Sequence, residues 1–137
     1  MLTAPVIRIA AGLIVDDAGR MLLVRKRGTT VFMQPGGKLE PGEDGAQALA
    51  RELNEELGLP VSTLGYEFLG RFDAAAANEA GHRVDADVFA VPTPRDIAVA
   101  AEIEEALWAD VEEARALPLA PLTLDHLIPI VVTRLGG

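Results

Sequence analysis

Glu52, Glu55 and Glu56 fall within two turns of what reads as one short helix, and three carboxylates so close together need a partner. At 100° per residue they sit at about 0°, 300° and 40°, an arc of roughly 100°. Glu52 and Glu56 are an i,i+4 pair of like charge, which costs a few tenths of a kcal/mol where an opposite pair would gain as much. The helix offers only Arg51 as an internal counter-charge. Hard oxygen donors gathered in this way suit Mg²⁺, with Mn²⁺ the alternative, since such ions bind one or two carboxylates together with substrate phosphates. The competing reading is a solvated acidic face.

The elements around the cluster are those needed to hold it. Asp44 reads as the helix N-cap, where negative charge is favoured, and Gly58 closes the helix. Ala46, Leu49, Ala50, Leu53 and Leu57 fill the arc beside the glutamates and should dock the helix on a core. A Gly/Pro-rich loop, Pro35 to Gly42, leads in. Its glycines let a carbonyl or amide come close to an ion or phosphate.

The spacing carries more than the glutamates alone. Gly37, then Glu43 after five residues, then Arg51-Glu52-Leu53-Asn54-Glu55-Glu56-Leu57-Gly58-Leu59 after seven more, matches G-x5-E-x7-R-E-U-x-E-E-x-G-U at all nine fixed positions. This resembles the Nudix box. Average residue usage gives a chance frequency on the order of 10⁻¹⁰ per starting position, so the match is specific. The resemblance implies a three-layer α/β/α sandwich around a mixed sheet, of the α/β (α+β) class. It implies that Glu52, Glu55 and Glu56 are metal ligands, with Glu52 the candidate base. A glycine carbonyl, from Gly36 or Gly37, would complete the metal shell. Glu43 and Arg51 would brace the loop and helix. Tryptophan is frequent in the family near the position of Phe32, which makes Phe32 a candidate base contact. Later in the chain Glu102-Ile103-Glu104-Glu105-Ala106-Leu107-Trp108 resembles the family's E-I-x-E-x-x-W stretch, where Glu102, or second Glu105, would reach the metal. Trp108 itself reads as core packing.

Arg25, Lys26 and Arg27 put positive charge at a strand end, and Arg25 or Arg27 is a candidate phosphate ligand because guanidinium groups hold phosphate well. Lys38 could meet a phosphate oxygen from the glycine loop. His82 and His126, the only histidines, lie too far apart in sequence to suggest a zinc pair.

Composition limits the partners. The chain has 137 residues, half of them hydrophobic, and should form one globular domain. A net charge of −9 argues against a nucleic-acid polymer, which needs a basic surface, but leaves room for a small polyphosphate brought in by a cation. There is no cysteine, hence no disulfide or thiolate metal site. Val6 to Val15 is broken by Arg8 and reads as a strand rather than a signal peptide, and no stretch is apolar enough to span a membrane. A cytoplasmic location is expected.

Val6 to Val15 and Met21 to Arg25 read as a hairpin around Asp16-Asp17-Ala18-Gly19, followed by a short extended piece, Val31 to Gln34. Beyond the helix, Val61 to Arg71 is strand-like, and Phe72 to Gly81 reads as a surface loop or hairpin connection. His82 to Val91 alternates as a strand, and Pro92 to Ala101 reads as a loop. Asp110 caps a short helix, and a last apolar helix should begin at Thr123 as N-cap, kinked or delayed by Pro129.

The expected reaction is metal-dependent hydrolysis of a phosphoanhydride in a nucleoside diphosphate linked to another group. Markers of several subfamilies are missing, since Ala74 to Ala77 stand where a distinguishing proline or tyrosine would fall. Their absence leans towards a nucleoside triphosphate, oxidised or otherwise non-standard, with an ADP-ribose or nucleotide-sugar pyrophosphatase as the alternative. A non-catalytic nucleotide-binding Nudix module is the rival of another class, and retention of every box glutamate speaks against it. An acidic calcium-buffering domain is weaker still, for want of a D-x-D-x-D-G loop. Many Nudix domains dimerise, so a homodimer is compatible with the resemblance.

Overall fold

The parity of side chains along two central strands decides the architecture. In the computed structural model, which describes residues 4–136, β1 (Val6–Leu13) and β2 (Met21–Lys26) send alternate residues to opposite sides. Ala11, Leu13, Met21 and Leu23 enter one hydrophobic cluster, with Leu127, Ile128 and Val131 from the C-terminal helix. Ala10, Ile14, Leu22 and Val24 enter the other, with Ala48, Leu49, Leu53 and Leu57 from the glutamate-bearing helix. A strand covered on both faces can be apolar throughout, and Met21 to Val24 are all buried. The result is a helix on each side of a β-layer, the expected α/β/α arrangement.

That layer comprises two sheets. The first has the order β4-β1-β6-β5, where β4 is Gly36–Lys38, β5 Glu67–Ala75 and β6 Arg83–Ala90. β1 runs parallel to β6 and antiparallel to β4, so this sheet is mixed. The second has the order β3-β2-β7, with β3 Phe32–Met33 and β7 Ile103–Ala109.

The expected β1–β2 hairpin is therefore only partly formed. The turn at Asp16 exists, but pairing stops at the Val15–Met21 bridge and the Leu22 N–H bonded to the Ile14 carbonyl. Past that point the strands splay, because β1 pairs with β4 and β6 while β2 pairs with β3 and β7. The strand expected from Val61 starts at Glu67, and it continues through Phe72, Asp73, Ala74 and Ala75, which had read as part of a loop or hairpin connection. Pairing with β6, Asp73 opposite Asp85 and Ala75 opposite Arg83, outweighs the weak strand preference of these residues.

Helix α1 (Gly45–Leu57) has the expected ends. Asp44 Oδ1 accepts from the Gln47 N–H, Gln47 returns a bond to the Asp44 N–H, and Gly58 adopts φ 72°, a conformation glycine takes without strain. Its docking face is turned slightly from the expected one: Ala48 is buried and Ala46 only half-buried. Asp110 caps α2 (Val111–Arg115) through a second capping box.

Thr123 is not an N-cap. The last helix is already turning at Pro121, and Thr123 to Leu127 form a π-helical turn before α3 (Ile128–Gly136). Pro129 has no N–H to return to Asp125, and the Ile128 N–H reaches back five residues to the Thr123 carbonyl. The expected disturbance at Pro129 thus takes the form of a widened turn. Among the described residues no helix is long and apolar enough to cross a membrane.

Candidate active site

Two elements converge on the C-terminal half of α1. β4 lies against β1 so closely that a Cβ on Gly36 would collide with the Ala10 carbonyl. This puts the Gly36 N–H on Glu56, donating to Oε1 at 3.1 Å. Gly37 is equally confined: a Cβ there would lie 2.5 Å from the Glu52 carboxyl carbon. From the other side the loop before β7 is tied to the end of α1, with the Ala100 N–H on the Glu56 carbonyl and the Ala98 N–H on that of Leu57. Glu102 is thereby set beside the helix, where it forms an ion pair with Lys26 at 3.3 Å.

The glutamates of α1 occupy three different environments. Glu56 is 2% exposed, and burial, only partly offset by the Gly36 N–H, pushes its carboxyl up to about 8. Neighbouring Glu52 and Glu102 raise it further, while Lys26 opposes them. Among the described residues no cation lies within ion-pair distance of it. Glu52 is largely shielded and takes a 2.8 Å bond from Arg51 Nη1. Glu55 is half exposed, 3.5 Å from the same nitrogen.

Arg51 gathers the rest of the charge. Its Nε and Nη2 reach the two Glu43 oxygens at 2.7 and 2.9 Å, a bidentate pair, and Nη2 also donates to the Lys38 carbonyl. The pair holds the Glu43 carboxyl down to about 2, helped by the Glu40 N–H. These contacts tie the loop to the helix at the two residues to which the resemblance assigns a bracing role.

A cavity of about 460 Å³ opens beside these groups. Glu52, Glu102, Lys26, Lys38, Gly36 and Gly37 form its charged end. Ile7, Ile9, Met33, Val84, Leu122 and Ala75 to Ala77 supply apolar wall, with Gln34, Thr123 and Asn78 as polar points. Ala75 to Ala77, which matched no subfamily marker, leave room here by being small.

Several candidate residues lie elsewhere. Phe32 is buried in the α3-side core and is not available to a base. Arg25 is held by Glu105 at 3.0 Å and by the Thr29 carbonyl, and Arg27 faces Glu104; neither lines the cavity. Of Glu102 and Glu105, only Glu102 borders the cavity. Lys38 does line it, but is paired with Glu79 across the mouth at 3.6 Å. Trp108 packs on the α1-side core as expected, while His126 stacks on Phe72 and His82 bonds the Ala80 carbonyl.

Lys26, like Gln34 and Thr123, is a cavity residue that sequence reading did not put forward. Its signal was parity: on β2 it shares the face of Leu22 and Val24, which meets α1, whereas Arg25 does not.

Among the described residues no three His, Asp or Glu side chains are already drawn into a cation shell. Glu52 and Glu102 are held by Arg51 and Lys26 instead. The donor set nonetheless fits a hard divalent ion: carboxylate oxygens from two elements, a buried carboxyl lacking a cation, and a glycine backbone that admits no side chain between β4 and Glu52.

Comparison with known proteins agrees with this geometry. The family model described as NUDIX domain matches residues 6–129. The chain is 31% identical over 133 residues to the CTP pyrophosphohydrolase of Escherichia coli K12, covering 93% of each protein. It is 39% identical over 71 residues to the 8-oxo-dGTP diphosphatase of Haemophilus influenzae, covering 49% of this chain and 51% of the relative. The crystal structure of a MutT protein from Methanosarcina mazei Go1 superimposes with a TM-score of 0.76 at 24% identity, covering 100% of both chains. The chain belongs to the Nudix family of hydrolases, whose members cleave phosphoanhydride bonds.

Proposed function

We propose that the chain is a divalent-metal-dependent nucleoside triphosphate pyrophosphohydrolase, with the triphosphate at the charged end of the cavity and the nucleoside in its apolar part. The observation that carries this reading is the division of one cavity into two chemistries. Carboxylates, lysines and glycine backbone sit at one end, and aliphatic side chains with a few polar groups at the other. The triphosphate is also the substrate class of the curated relatives named above.

In this reading Glu52, Glu56 and Glu102, with Glu55 beside them and a carbonyl of Gly36 or Gly37, hold Mg²⁺ or Mn²⁺. Such an ion neutralises phosphate charge and lowers the pKa of bound water. Lys26 and Lys38 meet phosphate oxygens, each giving up its present carboxylate partner. Glu52 accepts a proton from the attacking water; the water oxygen bonds to phosphorus, and the P–O bond of the anhydride breaks with its electrons on the leaving phosphate. Glu43 and Arg51 do not touch substrate; they fix the loop on which Gly37 and Lys38 are mounted.

The test is formation of nucleoside monophosphate, resolved by chromatography, from a panel of nucleoside triphosphates, nucleotide sugars and ADP-ribose. The panel is run with Mg²⁺ or Mn²⁺, and with EDTA. Turnover of triphosphates that EDTA abolishes supports the reading. Preference for ADP-ribose or a nucleotide sugar would reassign the substrate, and no turnover with either metal would overturn the reaction.

A further inference from the structure

Gln34 and Thr123 line the cavity among Ile9, Val84 and Leu122, and both are buried. Their hydrogen bonds leave little freedom. Gln34 Nε2 donates to the Gly12 carbonyl at 3.3 Å, and Thr123 Oγ1 donates to Gln34 Oε1 at 2.9 Å. A carbonyl can only accept, so the amide nitrogen must face Gly12. The amide oxygen must then face Thr123, whose proton it takes. Two contacts from β1 and the π-helical turn therefore fix which way round the carboxamide stands.

What remains unused defines a reader. Gln34 keeps one N–H and one lone pair, and the Thr123 oxygen, its proton committed, can only accept. Two acceptors next to one donor complement an exocyclic amine beside an unprotonated ring nitrogen, as on cytosine or adenine. On a uracil or hypoxanthine edge a keto oxygen stands where the amine was, and faces lone pairs. A buried polar pair left without its partner penalises the wrong base more than an apolar wall does.

We propose that Gln34, held in one orientation by Gly12 and Thr123, is the base-reading residue of this cavity and selects nucleotides bearing an amine over their keto counterparts. The inference rests on the nucleotide hydrolase reading of the same cavity. Thr123 acts through Gln34 and is a positioning residue.

The experiment compares kcat/KM for CTP against UTP and for ATP against ITP in the wild type, Thr123→Val and Thr123→Ser. The amino form should be preferred by about tenfold to a hundredfold in the wild type. Thr123→Val, which keeps the shape but removes one acceptor and one of the two contacts holding the carboxamide, should lower both ratios at least about threefold, and Thr123→Ser should restore them. Wild-type ratios near one, a keto preference, or ratios unchanged in a folded Thr123→Val would overturn the proposal. Affinities for the α,β-methylene analogues of the same nucleotides measure the same ratios without turnover. A protein that cannot hydrolyse nucleotides but still discriminates the analogues would refute the proposed reaction and leave the base reader standing; equal affinities would refute the reader alone.

Discussion

Glu43 and Glu56 belong to one loop and helix, and their surroundings push them in opposite directions. Glu43 sits at the surface with both oxygens on Arg51 and is held down to about 2. Glu56 is buried with a single backbone N–H for company and is pushed up to about 8. Carboxyl groups driven apart by environment mark different jobs. The first is complete within the protein. The second is a buried acid with no cation in ion-pair reach among the described residues, and a bound cation would favour its ionised form at lower pH. The two arginines and two lysines nearby differ in place rather than in pairing: Arg25 and Arg27 are paired outside the cavity, whereas Lys26 and Lys38 are paired with carboxylates on its wall.

The contrast can be broken by substitution. Glu52→Gln, which removes the proposed proton acceptor, should lower kcat by about 10²–10⁴ with the fold retained, measured by steady-state kinetics and circular dichroism. Glu56→Gln should also lower turnover by at least about a hundredfold, while leaving the metal-free protein no less stable, because a neutral amide replaces an acid that is costly to ionise. Lys26→Met should act mainly on KM, raising it by about tenfold or more through a lost phosphate contact.

Acidity separates the two carboxylates by sign. The folded pKa of Glu56 lies above the usual 4.5, so its contribution is fully present below about 4.5 and is lost as pH rises through about 8. The metal-free protein should therefore lose stability between pH 4.5 and 8, on the order of a few kcal/mol. Mg²⁺ should raise the melting temperature more at pH 8.5 than at pH 5.5, and Glu56→Gln should flatten the profile. Glu43 behaves in reverse: its contribution is present above about 4.5 and lost as pH falls towards 2. Glu43→Gln should remove only that smaller acid limb, in thermal melts from pH 2 to 5.

The elements legible beforehand were those governed by local chemistry. Asp44, Gly58 and Asp110 mark helix ends because capping involves backbone groups within a few residues. The glutamate cluster and its neighbour Arg51 were legible for a similar reason, since α1 and its approach form one contiguous segment. What escaped depends on partners distant in sequence. Whether β1 pairs with β2 or leaves for β4 and β6 is settled by which strands compete for each edge. Asp73 to Ala75 are strand because β6 lies alongside. Phe32 looked free to meet a base, but it faces the C-terminal helix, about ninety residues later in the chain, and is buried by it. Glu56 shows the limit most clearly: at 40° it lay next to the apolar arc, and only the dock of α1 against Gly36 reveals that it is buried.

The central claim is that the buried, unpaired carboxyl marks the metal site and the braced one does not. Calorimetric titration of Mn²⁺ at pH 8 into the wild type, Glu56→Gln and Glu43→Gln tests it directly. Saturable binding in the wild type, a loss of affinity of at least about tenfold in Glu56→Gln, and near-wild-type affinity in Glu43→Gln is the predicted result. Equal affinity in the wild type and Glu56→Gln, or a loss confined to Glu43→Gln, would contradict it.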